Sequence, residues 1–275
     1  MDRFDQQLDA AVRKFDAPVC VGLDPHWKWV CAEAPDPVEA VRSFSLRAVE
    51  GLIGRVPTIK PQVAFYEALG SRGVAVLEEV VETASDAGLL VILDAKRGDI
   101  GSTAEAYAQA TLDSDGPTGA HAVTLSPYLG PESMAPFVHR AKVGKGVFVL
   151  VRTSNPDSGP WQADTGIAER VAAWITETNQ QMVGVGRGPI GAVVGATHRT
   201  EASFWRERLP NAWILAPGFG AQGAGVDDIR PLFQSDGGGA LIVSARGVLY
   251  GPSGIDFDGF ANRVSRFVDE VRSAR

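Results

Sequence analysis

Residues 89–103 read Leu-Leu-Val-Ile-Leu-Asp-Ala-Lys-Arg-Gly-Asp-Ile-Gly-Ser-Thr. The apolar run predicts a buried strand, and this strand ends in charged residues. Side chains two positions apart on a strand point to the same face, so Asp94 and Lys96 are expected to face the same way. Asp99 follows in the loop or first helical turn, so that two carboxylates bracket one ammonium group. Because buried charges are costly unless paired, the stretch is either a structural ion pair at a strand end or part of a reactive site.

Seven further apolar runs rich in valine, isoleucine and leucine recur along the chain. They are 18–24, 58–65, 122–127, 146–153, 191–197, 213–218 and 239–246. Nearly continuous apolar strands are typical of a parallel sheet that is covered on both faces. Apolar residues at helical spacing lie between the runs, as in 74–84, 167–182 and 257–271. Eight strands alternating with helices predict a single (β/α)8 barrel domain over residues 1–275, with a doubly wound sheet as the alternative.

Composition narrows the classes of partner. The 275 residues carry a formal net charge of −7, so neither nucleic acid nor an anionic membrane is expected as a partner. The N-terminus lacks a signal-peptide pattern and no apolar run reaches membrane-spanning length, which predicts a cytoplasmic protein. Cys20 and Cys31 have no metal-like spacing and are expected to be free, buried thiols.

Polar or charged residues close nearly every predicted strand. They are Asp24, Lys60, Asp94 with Lys96, Ser126, Thr153 with Ser154, Thr197, Pro217-Gly218 and Arg246. In a barrel the C-terminal ends of the strands form the face that carries active sites, so a site is predicted there. The stretches 25–37 and 154–165 are expected to be irregular, and the second is a candidate lid because it follows a strand.

Gly218, Gly220 and Gly223 match the pattern G-x-G-x-x-G, which is found in dinucleotide sites and in phosphate sites. A dinucleotide fold carries this motif after its first strand, with an acidic residue closing the next strand. Here the motif follows the seventh run, and the next run ends in Arg246. Barrels often bind phosphate with the loops after strands seven and eight. Glycines let backbone N–H groups approach an anion and Arg246 supplies a two-pronged donor, so a phosphate site is favoured.

The lysine between two carboxylates indicates the chemistry. The four histidines are scattered without metal-binding spacing, so no metal site is predicted. A Schiff-base lysine must lose its proton readily, whereas Lys96, between Asp94 and Asp99, is expected to keep it. A protonated lysine held in place can act as a general acid. The residues alone therefore indicate proton delivery to a carbanion-like centre of a phosphorylated small molecule.

Several segments together carry a family resemblance. They are Val21-Gly-Leu-Asp24, Lys60, Asp94-Ala-Lys96-Arg-Gly-Asp99-Ile100-Gly-Ser-Thr103, Thr153-Ser154-Asn155-Pro156, Pro217-Gly218-Phe-Gly220-Ala-Gln222-Gly223 and Ala245-Arg246. In this order they resemble the orotidine 5′-monophosphate decarboxylase family, in its longer bacterial subgroup. The resemblance implies a barrel that converts orotidylate to uridylate and CO2 in pyrimidine synthesis, with neither cofactor nor metal.

The resemblance also implies roles for the residues that would form the reacting centre. Asp24 and Lys60 would hold the ribose hydroxyls. Asp94 would lie beside the leaving carboxylate, and Lys96 would protonate C6 of the pyrimidine. The implied catalytic set is Lys60, Asp94, Lys96 and Asp99.

Further roles concern the rest of the substrate and a second subunit. Asp99 and Thr103 would reach into the neighbouring subunit's site, which makes a homodimer obligatory for activity. Ser126 and Ser154 would contact the pyrimidine. Gln222 would bridge base and phosphate, and Arg246 would bind the phosphate.

Two rival interpretations remain. A related sugar-phosphate decarboxylase family shares D-x-K-x-x-D but has an acidic metal ligand at the end of strand two, where this chain has Lys60. The second rival is a phosphate-ligand-binding barrel that has lost its chemistry, and the intact Lys60, Asp94, Lys96 and Asp99 argue against it.

Overall fold

Eight parallel strands close into a barrel in the computed structural model, which describes residues 2–31 and 34–275. Each strand pairs with the next along the chain, and the last pairs with the first. The strands are β1 (Val19–Leu23), β2 (Thr58–Pro61), β3 (Leu90–Arg97), β4 (Ala122–Leu125), β5 (Gly146–Arg152), β6 (Ile190–Val194), β7 (Ile214–Pro217) and β8 (Ala240–Ser244). A small antiparallel hairpin of β9 (Tyr250–Gly251) and β10 (Gly254–Ile255) follows the barrel. The predicted (β/α)8 barrel is confirmed, and the doubly wound alternative is wrong.

Helices surround the barrel and connect its strands. They are α1 (Phe4–Phe15), α2 (Trp27–Val30), α3 (Pro37–Leu52), α4 (Val63–Glu67), α5 (Gly70–Asp86), α6 (Gly101–Leu112), α7 (Pro131–Ala141), α8 (Gly159–Gln162), α9 (Ile167–Val183), α10 (Ala202–Arg208), α11 (Val226–Ile229), α12 (Arg246–Leu249) and α13 (Phe260–Ser273). Short 3-10 turns cover Pro156–Ser158, Arg199–Glu201 and Arg230–Leu232.

Some predicted strands overrun the observed ones at their C-terminal ends. The run 58–65 is a strand only as far as Pro61, and its last residues begin α4, where Val63 and Tyr66 are buried. The run 239–246 is a strand as far as Ser244, and α12 begins at Arg246. Apolar character marks burial in both cases, but a short buried helix and a buried strand look alike at this length.

The two stretches that were expected to be irregular are partly helical. The stretch 25–37 contains α2 and the first residue of α3, while its residues 32–33 lie outside the described residues. The stretch 154–165 contains the 3-10 turn at Pro156–Ser158 and then α8. Proline at the first position of a helical turn fits without the loss of a hydrogen bond, which explains these short elements in proline-rich sequence.

Helix α1 closes the end of the barrel at which the strands begin. Phe4, Leu8 and Val12 are buried in the cluster that fills the barrel interior. The ring of Phe4 meets that of Phe148 edge to face, with 6.0 Å between centroids. Phe4 fits because residue 146 is glycine, where a Cβ would lie 2.2 Å from the Phe4 ring. The interior is therefore packed at this end, and the chemistry must lie at the other.

Both cysteines are free thiols. Cys20 is buried inside the barrel as predicted, whereas Cys31 is only half-buried. Across residues 2–31 and 34–275, helices of the length and apolar character that a bilayer span requires do not occur.

Candidate active site

Asp94, at 6% exposure, is the centre of the polar cluster at the C-terminal end of the barrel. Its Oδ2 accepts hydrogen bonds from Lys60 Nζ at 2.5 Å and from Gln62 Nε2 at 3.1 Å. Its Oδ1 accepts hydrogen bonds from Lys96 Nζ at 2.6 Å and from Thr124 Oγ1 at 3.0 Å. One carboxylate thus lies between two ammonium groups, with all four donors in place.

Strand order explains why these residues meet. β2 and β3 are neighbours in parallel register, with Ile59 opposite Val91, so Lys60 and Gln62 lie beside the end of β3. β4 is the neighbour of β3 on its other side and brings Thr124. Asp94 therefore collects donors from the three adjacent strand ends, as expected for a site on this face of a barrel.

The backbone at Lys96 is unusual. Its φ is +47°, in the left-handed region that non-glycine residues rarely adopt. The β3–β4 register shifts between Leu93 and Arg97, and the Lys96 N–H donates to Thr124 Oγ1 at 3.0 Å. The predicted meeting of Lys96 and Asp94 is observed, but it is reached through this irregularity and not through a regular strand. Backbone strain of this kind collects where surrounding contacts hold a functional side chain in place.

Electrostatics keep the central groups ionised. Burial by itself would raise the pKa of Asp94, but the charges of Lys60 and Lys96 outweigh it and hold that pKa well below its usual range. Burial would likewise lower the pKa of Lys60, and its attraction to Asp94 and Asp24 raises it instead. For Asp24 burial prevails and raises the pKa of the carboxyl, in spite of Lys60. At neutral pH the cluster therefore holds an ionised Asp94 carboxylate against two cations.

A cavity of about 220 Å³ lies over this cluster. Its lining is Asp24, Lys60, Gln62, Asp94, Lys96, Thr124, Leu150, Thr153, Ser154, Val193, Leu215, Pro217 and Gln222. A second cavity of about 80 Å³ shares Asp24, Lys60, Pro217 and Gln222 with it and continues to Gly218, Phe219, Ala221, Val243, Ala245 and Arg246. The shared residues make the two cavities one site. The Lys60–Asp94–Lys96 cluster lies at one end of it, and the cationic Arg246 lies at the other. The apolar side chains of the first cavity strengthen electrostatic interactions within it, because they exclude water.

Several lining side chains are left to bind a ligand. Ser154, Gln222 and Arg246 line the cavities, and within the described residues their side chains make no hydrogen bond or ion pair with the rest of the chain. Oδ1 of Asp24 is buried and also lacks a partner there. Unsatisfied polar groups that converge on a cavity are what a polar ligand would complete.

The segment that follows β5 is tied to the cavity wall. Gln162 of α8 binds Thr153 twice: its Oε1 accepts from the Thr153 N–H at 2.9 Å, and its Nε2 donates to Oγ1 at 2.7 Å. His198 Nε2 lies 2.7 Å from the Thr153 carbonyl oxygen. The stretch 154–165, for which a lid was predicted, is thus anchored beside Ser154; its movement stays a prediction.

Asp99, Thr103 and Ser126, which were predicted as site residues, lie outside these cavities in the single chain. Asp99 is half-exposed, and its Oδ1 accepts from the N–H of the following Ile100 at 2.8 Å. Thr103 is exposed on the first turn of α6. Ser126 is half-buried, with its N–H donating to the Arg97 carbonyl. Within one chain, therefore, Lys96 does not lie between two carboxylates. It contacts the Asp94 carboxylate, and Asp94 in turn lies between Lys96 and Lys60.

The glycine-rich loop differs from the expectation. Gly218 lines the cavity, but Gly220 and Gly223 do not. The N–H of Gly220 donates to the Ala224 carbonyl and that of Gly223 to the Gly220 carbonyl, so both are used inside the turn. Both residues have φ in the left-handed region, at +74° and +96°, which explains glycine there. The two glycines shape the loop that presents Gln222; they do not aim their amides at a ligand.

Two polar lining residues, Thr124 and Gln62, were not predicted from the sequence. Thr124 is a polar residue inside an otherwise apolar run, and that interruption was the available signal. Gln62 directly follows β2, within a run that was predicted to continue as a strand. Their contact with Asp94 depends on strand neighbours, which composition alone does not give.

A known protein family matches most of this chain. The family model described as "Orotidine 5'-phosphate decarboxylase / HUMPS family" matches residues 17–253. The chain belongs to this family.

Relatives within the orotidine 5′-phosphate decarboxylase / HUMPS family match over the full length. An "Orotidine 5'-phosphate decarboxylase" of Rhodopirellula baltica is 40% identical over 293 aligned positions, covering 100% of this chain and 97% of the relative. A crystal structure of a Streptomyces avermitilis protein is 40% identical with a TM-score of 0.88, covering 100% and 96% of the two chains. The structure of Leishmania donovani OMP decarboxylase is 31% identical with a TM-score of 0.81, covering 99% and 98%. The predicted family and its decarboxylase class are therefore confirmed.

Proposed function

We propose that this chain decarboxylates orotidine 5′-monophosphate to UMP and CO2 in pyrimidine biosynthesis, with Lys96 as the proton donor. The observation that carries the proposal is the Lys60–Asp94–Lys96 cluster beneath a cavity whose far rim holds Arg246. The cluster supplies an ionised carboxylate and a mobile proton, and the rim supplies a cation for phosphate. The names of relatives that are about 40% identical over the full chain support the same substrate.

Substrate binding follows from the side chains that lack partners. The Arg246 guanidinium and the Gln222 amide suit a phosphate group, since arginine binds phosphate oxygens with two parallel donors. Ser154, with its free hydroxyl, faces the cavity where the pyrimidine would lie. Asp24 and Lys60, which line both cavities, lie between these ends and suit the ribose hydroxyls.

The chemical step uses the charges of the cluster. The substrate carboxylate would lie beside Asp94, which the two lysines keep ionised, and the like charges repel. The C6–carboxyl bond breaks, its electron pair stays on C6, and CO2 leaves, which removes the repulsion. Lys96 Nζ then gives a proton to C6, yielding UMP, and the neutral amine regains a proton from solvent. Because the attraction between Lys96 and the C6 carbanion exists only after bond cleavage begins, it lowers the barrier.

We also propose that each site is completed by a second copy of the chain. Asp99 lies in the loop after β3, and Thr103 lies on the first turn of α6, which begins at Gly101. Asp99 is half-exposed and Thr103 is exposed, so both can face an interface. Two apolar side chains are exposed at the same end of the barrel: Ile100, next to Asp99, is 59% exposed, and Tyr128, on the loop after the neighbouring β4, is 79% exposed. A second copy that packs here would bury both side chains. A two-fold dimer would then carry two equivalent composite sites.

The test of the activity is turnover of orotidine 5′-monophosphate by the purified protein, followed by loss of orotate absorbance. We expect turnover that survives exhaustive chelation, because the Asp94 carboxylate in the cavity is already paired with the ammonium groups of Lys60 and Lys96. No turnover would refute the decarboxylase. Activity that is lost on chelation and restored by Mg²⁺ would favour the metal-dependent sugar-phosphate class.

Arg246→Ala tests the phosphate site. We expect kcat/KM for orotidine 5′-monophosphate to fall by at least about 30-fold, because charge-assisted hydrogen bonds contribute about 1.5–3 kcal/mol each. Part of this loss should appear in kcat, since phosphate binding energy can be used in the chemical step. With orotidine, which lacks the phosphate, the same variant should lose little. Arg230→Ala, at an arginine that is 58% exposed and outside both cavity linings, is the matched control. An equal loss on both substrates would refute the phosphate role.

A further inference from the structure

Asp24 lies directly after β1 and presents its carboxylate to both cavities. Within the described residues its buried Oδ1 has no hydrogen-bond partner, so no side-chain contact there fixes that oxygen. The direction of the carboxylate depends instead on the backbone of the loop that begins at Asp24. The contacts that hold this loop therefore decide where the carboxylate points.

One phenol hydroxyl holds the loop on both sides of Pro25. Tyr250 Oη donates to the Asp24 carbonyl oxygen at 2.7 Å and accepts from the His26 N–H at 2.8 Å. The two bonded groups are backbone groups that flank Pro25, which has no N–H of its own to donate. Tyr250 thus satisfies two loop groups that lie more than 220 positions away in sequence.

The Tyr250 ring is held independently of its hydroxyl. It stacks on Phe44 with 5.5 Å between centroids and an interplanar angle of 10°. The centroid of the Trp29 ring lies 4.5 Å from that of Tyr250, and the centroid of the His26 ring lies 6.0 Å from it. Tyr250 is 5% exposed. Removal of the hydroxyl alone should therefore leave the ring in place and release only the loop.

Tyr250 also connects Asp24 to the phosphate end of the site. It follows α12 directly, and α12 begins at Arg246. The ends of β1 and β8 approach closely here, because a Cβ on Gly22 would lie 2.8 Å from the Cβ of Ala245. Arg246 and the Tyr250 hydroxyl are therefore carried by one short segment that packs on β1.

We propose that Tyr250 is a positioning residue, which aims the Asp24 carboxylate into the cavity through these two backbone hydrogen bonds. It acts on substrate binding without touching substrate. The identity of the substrate used to test this rests on the proposed function, whereas the geometry does not. Since Asp24 faces the part of the cavity assigned to the ribose, misplacement should weaken binding more than it slows proton transfer.

The test is Tyr250→Phe, with orotidine 5′-monophosphate as the substrate. We expect KM to rise about 10-fold with kcat changed by less than about threefold, the size expected for two lost hydrogen bonds that hold a binding group. Tyr66→Phe is the matched control: its buried hydroxyl contacts Ser45 Oγ at 3.0 Å, and the variant should keep wild-type KM. A fall in kcat at constant KM would mean that Tyr250 only stabilises the fold, and would overturn the proposal.

A double-mutant cycle with Asp24→Asn separates action through Asp24 from action elsewhere. If Tyr250 works through the carboxylate, Tyr250→Phe should change KM by less than about twofold once residue 24 is asparagine. A full 10-fold effect in that background would refute the mechanism. A crystal structure of Tyr250→Phe gives a readout that needs no activity, since Asp24 must turn away from the cavity. If the wild-type protein does not turn over orotidine 5′-monophosphate, the proposed function fails while the crystal structure still decides the role of Tyr250.

Discussion

Lys96→Ala is expected to reduce turnover of orotidine 5′-monophosphate by roughly 10⁴-fold or more, because it removes the general acid and its positive charge beside the reacting carbon. Lys96 is suited to this role by its place in the cluster. Its Nζ lies 2.6 Å from Asp94, yet the side chain is 45% exposed toward the cavity, whereas Lys60 is buried. The variant should still bind UMP, since Arg246, Gln222 and Asp24 are untouched. Steady-state turnover and UMP titration measure the two effects separately.

Lys96→Arg is the matched variant for this prediction. Arginine keeps a positive charge opposite Asp94 but holds its proton too firmly to act as a general acid. We expect it to be nearly as inactive as the alanine variant. Near-normal turnover in either variant would refute the proton-donor assignment, and high activity in the arginine variant alone would reduce the role of Lys96 to its charge.

Mixing Lys96→Ala with Asp99→Ala is expected to restore roughly a quarter of wild-type activity, although each variant is inactive alone. In the proposed dimer each site takes Lys96 from one chain and Asp99 from the other. A mixed dimer then has one site with both lesions and one with neither. Random exchange makes about half of the dimers mixed, and half of the sites in these are intact. The Asp99 variant should fold, because the recorded hydrogen bond of its side chain is to the adjacent Ile100 N–H.

The control for the mixing experiment is Lys96→Ala with Asp94→Ala. Both residues belong to one chain's cluster, in which their side chains are 2.6 Å apart, so every site in this mixture carries a lesion and no activity should return. Mass spectrometry of differently tagged chains establishes that exchange has occurred. Exchange without recovery in the Lys96 and Asp99 mixture would refute the shared site.

The barrel could be predicted because each of its strands is buried on both faces. This burial leaves the same apolar signature in every strand, and the signature repeats with helical segments between. Strand ends were harder to predict, since burial continues after the strand geometry stops. Val63 and Tyr66 are as buried as the strand residues before them, and they lie on a helix.

The site was predictable where neighbours in sequence are neighbours in space. Asp94 and Lys96 are two residues apart, and their contact was expected. Lys60 and Asp94 are 34 residues apart in sequence, and their contact depends on the pairing of β2 with β3. The link from Tyr250 to Asp24 depends on closure of the barrel between its last and first strands. The local sequence pattern does not show which strands pair. A functional residue can therefore be recognised from the sequence, whereas its partners on other strands cannot.

The left-handed backbone at Lys96 has a consequence for how this chain can change. An L-residue with a side chain costs roughly 1–2 kcal/mol in that conformation, and glycine would avoid the cost. Glycine would also remove the ammonium group that pairs with the buried Asp94, so the backbone and the charge cluster favour different residues at this position. Improvements in stability must come from elsewhere in the barrel, as is common when activity holds a residue in a conformation that folding does not favour. Position 96 thus combines an unfavourable φ angle with the side chain that the proposed reaction requires.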